Sequence, residues 1–294
     1  MKKLLAVLVC LVSSSVFAQT KCLNDGVAPQ LSAETRREFE AKLAEARAEF
    51  EKDPRSADRL IWVGRRIAYL GQYKDAIAIF TDGIKQFPND ARFYRHRGHR
   101  LITLRCFDAA IADFEKAAAL IKGKPDEIEP DGLPNARNIP TSTLQSNIWY
   151  HLGLAYYVKG DFRRALTAYR EADKVSTNPD MLVATTHWLY MTLRRLGRDK
   201  EAADVLTRIK DNLEVIENAD YFKLIAIYKG KLKAEDVFTQ DANSLSNATL
   251  GYGVGNWFLY NGQRAQGEKI FRQVTAGNQW SSFGYIAAEA ELKQ

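Results

Sequence analysis

Hydrophobic positions along the chain follow a helical period that returns at a fixed interval. Tyr73, Ala76 and Phe80 are spaced three and four residues apart, so they lie on one face of a helix. The same set of positions recurs after one repeat length. It recurs a third time after a longer interval, which equals one repeat length plus an insertion. These later positions are Phe107, Ala110 and Phe114, and then Phe162, Ala165 and Tyr169. The pattern predicts stacked helix pairs with an insertion between the second and third pairs.

Three glycines recur in the same register and predict close helix packing. Gly64, Gly98 and Gly153 each precede the aromatic residue of the following helix at one constant interval; these aromatic residues are Phe80, Phe114 and Tyr169. A glycine lets the first helix of a pair approach its neighbour closely, and the aromatic side chain fills the space between consecutive pairs. A single pair cannot bury this face alone, so we expect neighbouring pairs to stack.

The third helix pair carries the fullest motif. Its landmarks are Trp149, Leu152, Gly153 and Tyr156, followed by Gly160, Ala165, Tyr169 and Ala172. This spacing resembles the tetratricopeptide repeat family. The resemblance implies an all-α fold, a right-handed α-solenoid of helix–turn–helix repeats with a capping helix at each end. It also implies a concave surface, lined by the first helices, that binds a peptide or a protein.

The chain divides along these patterns. Helical stripes at 32–52 and 281–291 are expected to cap the two ends of the stack, which would otherwise be exposed. The predicted segments are 1–18 (signal peptide), 19–56 (N-terminal segment and cap), 57–122 (units 1 and 2), 123–143 (proline-rich acidic insertion), 144–210 (units 3 and 4), 211–279 (degenerate units) and 280–294 (C-terminal cap). In the degenerate part we expect a short second helix that runs through Val237.

The segment 1–18 has the layout of an export signal. Lys2 and Lys3 precede a short apolar core, and Ala18 stands before the expected cleavage site. Cys10 lies inside the apolar core, which does not fit a lipoprotein signal. We therefore expect an exported bacterial protein of the periplasm, with secretion as the alternative. No later apolar run is long enough to cross a membrane.

Charge and cysteine content refine this picture. The net charge of +6 falls to about +4 once the two signal lysines are removed. That excess is mild and forms no nucleic-acid motif, so nucleic acid is not an expected partner. An oxidising compartment permits a disulfide between Cys22 and Cys106, and two free thiols are the alternative.

The repeat resemblance also implies which residues line the concave surface. Arg65, Arg92 and Arg95 would form a basic wall, and Tyr150 and Tyr157 an aromatic floor. Arginine favours bidentate contact with carboxylates, which predicts an acidic peptide or protein partner. The complete expected set is Arg65, Tyr69, Arg92, Arg95, His99, Asn147, Tyr150, Tyr157, His187 and Arg194.

The acidic insertion leaves three interpretations of this wall open. The insertion contains four acidic residues and branches from the helix array close to the basic wall. These residues are Asp126, Glu127, Glu129 and Asp131. The insertion can fold into the groove and pair with Arg92 and Arg95 as an internal ligand. Alternatively, the groove is open to an anionic ligand, or the arginines are simply solvated.

The sequence offers little catalytic chemistry. His96 and His99 are three residues apart on a predicted helix, but two ligands among arginines make a poor metal site. We expect no catalytic residue, metal or cofactor, and favour a non-catalytic scaffold for envelope assembly, secretion or polysaccharide export. The alternatives are a small-anion receptor or enzyme that uses His96, His99 and the insertion, and a structural spacer that acts through its convex face or caps. The oligomeric state and the partner's identity are not encoded in these patterns.

Overall fold

The structure, a computed structural model, describes residues 26–238 and 244–293. Within these residues the regular elements are helices, together with one isolated antiparallel bridge between Ile128 and Thr143. The predicted all-α repeat fold is confirmed. The α-helices are α1 (Ala33–Lys52), α2 (Ala57–Tyr69), α3 (Tyr73–Gln86), α4 (Ala91–Thr103), α5 (Phe107–Ile121), α6 (Leu144–Val158), α7 (Phe162–Lys174), α8 (Pro179–Arg195), α9 (Asp199–Leu206), α10 (Ala219–Tyr228), α11 (Leu245–Tyr260), α12 (Arg264–Thr275) and α13 (Phe283–Glu291).

Side-chain caps set where the first helix of several pairs begins. Ser56 and Asp90 accept backbone N–H bonds at the starts of α2 and α4. Thr143 and Ser146 form a reciprocal capping box at the start of α6. The turn inside the first and third pairs uses Gly71 and Gly160 at φ +80° and +76°, which glycine adopts without steric cost.

The recurring glycines are explained by the aromatic residue of the following helix. A Cβ added to Gly64 would lie 2.4 Å from the Phe80 ring, and one on Gly153 would lie 2.7 Å from the Tyr169 ring. These rings are almost completely buried. The repeat spacing therefore encodes a ring placed directly on a helix backbone.

The C-terminal helices return to the middle of the array. Arg105, in the turn between α4 and α5, donates to Glu289 of α13 at 2.8 Å and to the Trp280 carbonyl at 2.9 Å. In α11, Asn256 donates to the Tyr157 hydroxyl of α6 at 2.8 Å. Helices α11 and α13 thus pack against the second and third helix pairs.

The degenerate region departs from the expected helix pair. Only a short 3-10 turn, Ala234–Asp236, stands where we predicted a second helix through Val237. No helix in the described part of the chain has the length and apolar character needed for a bilayer crossing.

Candidate functional site

The insertion, residues 123–143, folds against the first helices of the second and third pairs. Arg95 Nε lies 2.9 Å from Glu129 Oε2, and each side chain is no more than 10% exposed. Asn147 donates a hydrogen bond to the same oxygen, Glu129 Oε2, at 3.1 Å. A buried ion pair needs such added hydrogen bonds to offset its desolvation. The structure thus shows an internal occupant of the groove at Arg95 and Asn147.

Two further arginines hold the insertion by its backbone. Arg65 donates to the Pro130 carbonyl at 2.8 Å, and Arg66 to the Gly132 carbonyl at 2.9 Å. Gly132 packs so closely that an added Cβ would lie 1.8 Å from the Tyr69 hydroxyl oxygen. We call Arg65, Arg66 and Arg95 the arginine wall. The sequence prediction missed Arg66, because the family's groove positions include only one of these adjacent arginines.

Both ends of the insertion are fixed. At the base, Thr143 and the backbone of Gln145 donate to Asp126 at 2.6 and 3.0 Å, beside the Ile128–Thr143 bridge. At the far side, Asn135 and Thr141 both donate to Glu217. The insertion is therefore an ordered loop that crosses the groove.

Arg92 does not take part in this contact, which corrects the prediction. Its guanidinium lies 2.6 Å from Asp90 and is hydrogen-bonded to Asp58. Hydrogen bonding to Asp90 raises the pKa of Arg92 above its ordinary value. Asp90 is close to Arg92 in the sequence, and Asp58 lies one repeat away. These two carboxylates neutralise the charge of Arg92 locally.

Three other predicted groove residues lie away from the wall. Tyr157 is 1% exposed and packs on Trp188 and Tyr252, and His187 is 1% exposed beside Tyr228. Arg194 packs over the Tyr260 ring. They were expected on an open concave surface, but the returning helix α11 and the neighbouring α10 cover it.

Beside the insertion, two adjoining cavities of about 330 and 360 Å³ form a cleft. They share His99, Glu217, Asn218, Tyr221 and Phe283. Tyr150 lies on this cleft, with its hydroxyl 3.3 Å from that of Tyr221. The cleft therefore combines aromatic area with hydroxyl and amide groups, and four predicted residues line it: Arg95, His99, Asn147 and Tyr150.

The histidines near the groove are neutral packing residues. The His99 ring lies 4.6 Å from that of His151, and His96 stacks on Phe80. Burial, with smaller contributions from nearby arginines, lowers the pKa of all three histidines well below the ordinary value. The described residues contain no cluster of three potential metal ligands.

Asp180 fixes the segment that forms one side of the cleft. This buried carboxylate accepts the backbone N–H bonds of Ile216, Glu217 and Asn218 at 2.7–3.1 Å. We expect Asp180→Ala to speed amide hydrogen exchange at 216–218 about 100-fold, because charge-assisted bonds to backbone N–H groups are lost. Asp180→Asn keeps one acceptor oxygen and should show a smaller change. Unchanged exchange in the alanine variant would contradict this anchoring role.

Comparisons with known proteins agree with the helix pairs. One tetratricopeptide repeat family model matches residues 64–126, and a second matches residues 146–179. The chain therefore contains tetratricopeptide repeats at these residues. Its two matched regions flank the greater part of the insertion.

The chain is also similar to several known proteins. It is 27% identical over 140 residues to BBSome complex member BBS4 of Bos taurus. The matched region covers 48% of this chain and 23% of that protein. The chain thus spans about a quarter of that relative's length. Among solved structures, YrrB, described as a TPR protein with an unusual peptide-binding site, shares 14% identity at a TM-score of 0.45, covering 85% of this chain and 98% of YrrB. MamA from Desulfovibrio magneticus shares 17% identity at a TM-score of 0.44, covering 68% and 95%.

Cys106 of this repeat protein is disulfide-bonded and 2% exposed. Cys22 lies outside the described residues. The Cys22–Cys106 pairing therefore stays a prediction.

Proposed function

We propose that this repeat protein is an exported, non-catalytic scaffold of the bacterial periplasm that binds an acidic, extended segment of a protein partner. Tetratricopeptide repeats support a role in protein interaction. The predicted signal peptide supports export, and the arginine wall supports the acidic character of the partner.

One observation carries this proposal: the wall already holds a segment of that kind. The wall contacts one carboxylate, Glu129, and two backbone carbonyls, those of Pro130 and Gly132. Only Glu129 contributes a side chain to these polar contacts, so any extended segment with an acidic residue before a Pro-x-Gly turn offers the same groups. The insertion then occupies the site until a partner displaces it.

The neighbouring cleft supplies contact area for residues that flank the acidic group. Tyr150, Tyr221 and Phe283 line it within reach of the insertion's C-terminal end, at Thr141 and Ser142. Tyrosine side chains combine rigid apolar area with a hydroxyl group, which suits peptide recognition.

A peptide copied from the insertion tests displacement directly. We expect Gly132→Leu to bind a labelled peptide of residues 124–134 at least tenfold more tightly than the wild type. The leucine collides with Tyr69 and lifts the tethered insertion, which otherwise competes at an effective concentration on the order of 1 mM. Fluorescence anisotropy in phosphate-free buffer at low and high salt measures the affinity.

Two further variants make this test specific. Ala136→Leu alters an exposed position of the same insertion and should bind like the wild type. Adding Arg95→Glu to Gly132→Leu should abolish binding, because it reverses the charge that meets the peptide's acidic group. Equal binding by Gly132→Leu and wild type would overturn the displacement proposal.

A further inference from the structure

A small cavity lies beneath the insertion, between α2 and α4. Its volume is about 100 Å³, room for several water molecules or one small ion. The polar side chains around it are unusually basic. They are Arg65, Tyr69, Arg95, His96, His99, Arg100 and Glu129.

The charges that line this cavity do not balance. Three guanidinium groups, those of Arg65, Arg95 and Arg100, face a single carboxylate, Glu129. His96 and His99 are neutral because burial lowers the pKa of both rings. Two positive charges are therefore left without a counter-ion in the described part of the chain that lines the cavity.

Arg100 is the clearest sign of an unmet charge. Its guanidinium makes no hydrogen bond or ion pair with the residues described at 26–238 and 244–293, and the Tyr73 ring centre lies 5.8 Å away. Burial lowers the pKa of Arg100 to about 10, so the group stays charged at neutral pH. Like charges on Arg65 and Arg95 add repulsion. Arg100 is only partly buried, but a partly desolvated charge without a partner is still costly, and an anion between these groups reduces that cost.

We propose that this cavity binds one small tetrahedral oxyanion of the phosphate or sulphate class. Guanidinium groups arriving from two helices can donate to several oxygens of such an ion at once. A doubly charged oxyanion also matches the two unbalanced positive charges. This site goes beyond peptide capture at the wall, since it depends on Arg100, which is not one of the arginines that hold the insertion.

Titration with the ion alone tests the site. Sodium phosphate and sodium sulphate, each compared with sodium chloride at equal ionic strength, are added to the full protein. At 100-fold the dissociation constant we expect the unfolding temperature to rise by about 5 °C. Isothermal titration should give one site per chain and rank the two ions. No rise beyond that in chloride would overturn the proposal, while the peptide result would be unaffected.

A charge-removing variant separates binding from structure. Arg100→Met keeps an apolar stem of similar length, and Arg47→Met, at an exposed position of α1, is the matched control. We expect Arg100→Met to weaken phosphate binding at least tenfold and to unfold at a temperature no lower than wild type in chloride. Arg47→Met should retain the full phosphate response. If Arg100→Met keeps the response, or unfolds early in chloride with its phosphate shift intact, Arg100 is only structural and the proposal fails.

Discussion

Lowering the pH from 7.5 to 5.5 is expected to reduce the free energy of unfolding by about 5 kcal/mol. The cause is a set of histidines that are buried in the neutral form. These are His96, His99, His151 and His187.

The sign of this change follows from the difference between the histidine pKa values in the unfolded and the folded protein. In the unfolded chain a histidine has a pKa of about 6.5. In the folded protein burial lowers the pKa of His187 to about 3, and burial and nearby arginines lower the pKa of the other three well below the ordinary value. Stability is thus fully present above pH 6.5 and is lost as the pH falls below it. Each histidine contributes about a quarter of the expected loss over this range.

Urea unfolding at pH 7.5, 6.5 and 5.5, followed by circular dichroism, measures this dependence. His187→Phe serves as the control, because the His187 ring stacks on Tyr221 and lies away from the arginine wall. For this variant, the free energy of unfolding should change with pH about a quarter less steeply than for the wild type, whatever its absolute stability. A free energy of unfolding that is the same at pH 7.5 and 5.5 would contradict neutral burial of these rings.

Asp113→Ala is expected to destabilise the protein by about 3–5 kcal/mol. Asp113 accepts two hydrogen bonds from Arg97, both at 2.7 Å, which join α4 to α5. The two side chains are only 10% and 5% exposed, and burial raises the pKa of Asp113 even beside Arg97. Removal of the carboxylate leaves a guanidinium inside the packed array, with Thr81 as its one remaining hydrogen-bond partner among the residues that the structure describes.

Matched substitutions identify burial as the cause. Asp108→Ala removes another aspartate of α5, whose bond to Lys159 is at the surface with Asp108 87% exposed, so its cost should be below about 0.5 kcal/mol. Arg97→Met combined with Asp113→Leu should recover most of the lost stability. Chemical denaturation of the variants measures all three values. Similar losses for Asp113→Ala and Asp108→Ala would refute the buried-pair argument.

The repeat fold was predictable because its contacts lie in a fixed register. Gly64 meets Phe80, and Gly153 meets Tyr169, at the same separation in sequence within each pair. A periodic contact leaves a periodic pattern, so the helix pairs can be read from spacing alone. The degenerate region lacks that pattern, and there the expected helix through Val237 was wrong.

The candidate site was only partly predictable. Acidic residues in the insertion suggested a self-occupied groove, and Arg95 does pair with Glu129. The sequence did not indicate that Arg92 is neutralised by Asp58 and Asp90, because nothing in its composition ranks one carboxylate over another. The distances between the charged groups and their burial in the folded protein determine which carboxylate pairs with which arginine.

The sequence by itself determined the helix pairs, their stacking and the concentration of arginine on the first helices, since these follow from short-range periodicity and residue type. Only the tertiary structure decided which groove residues remain accessible. Tyr157 and His187 became core residues because α10 and α11 pack across the later repeats. The insertion, which lies over α2 and α4, closed one cavity around Arg65, Arg95 and Arg100. Such contacts join segments far apart in the chain, so no local pattern encodes them.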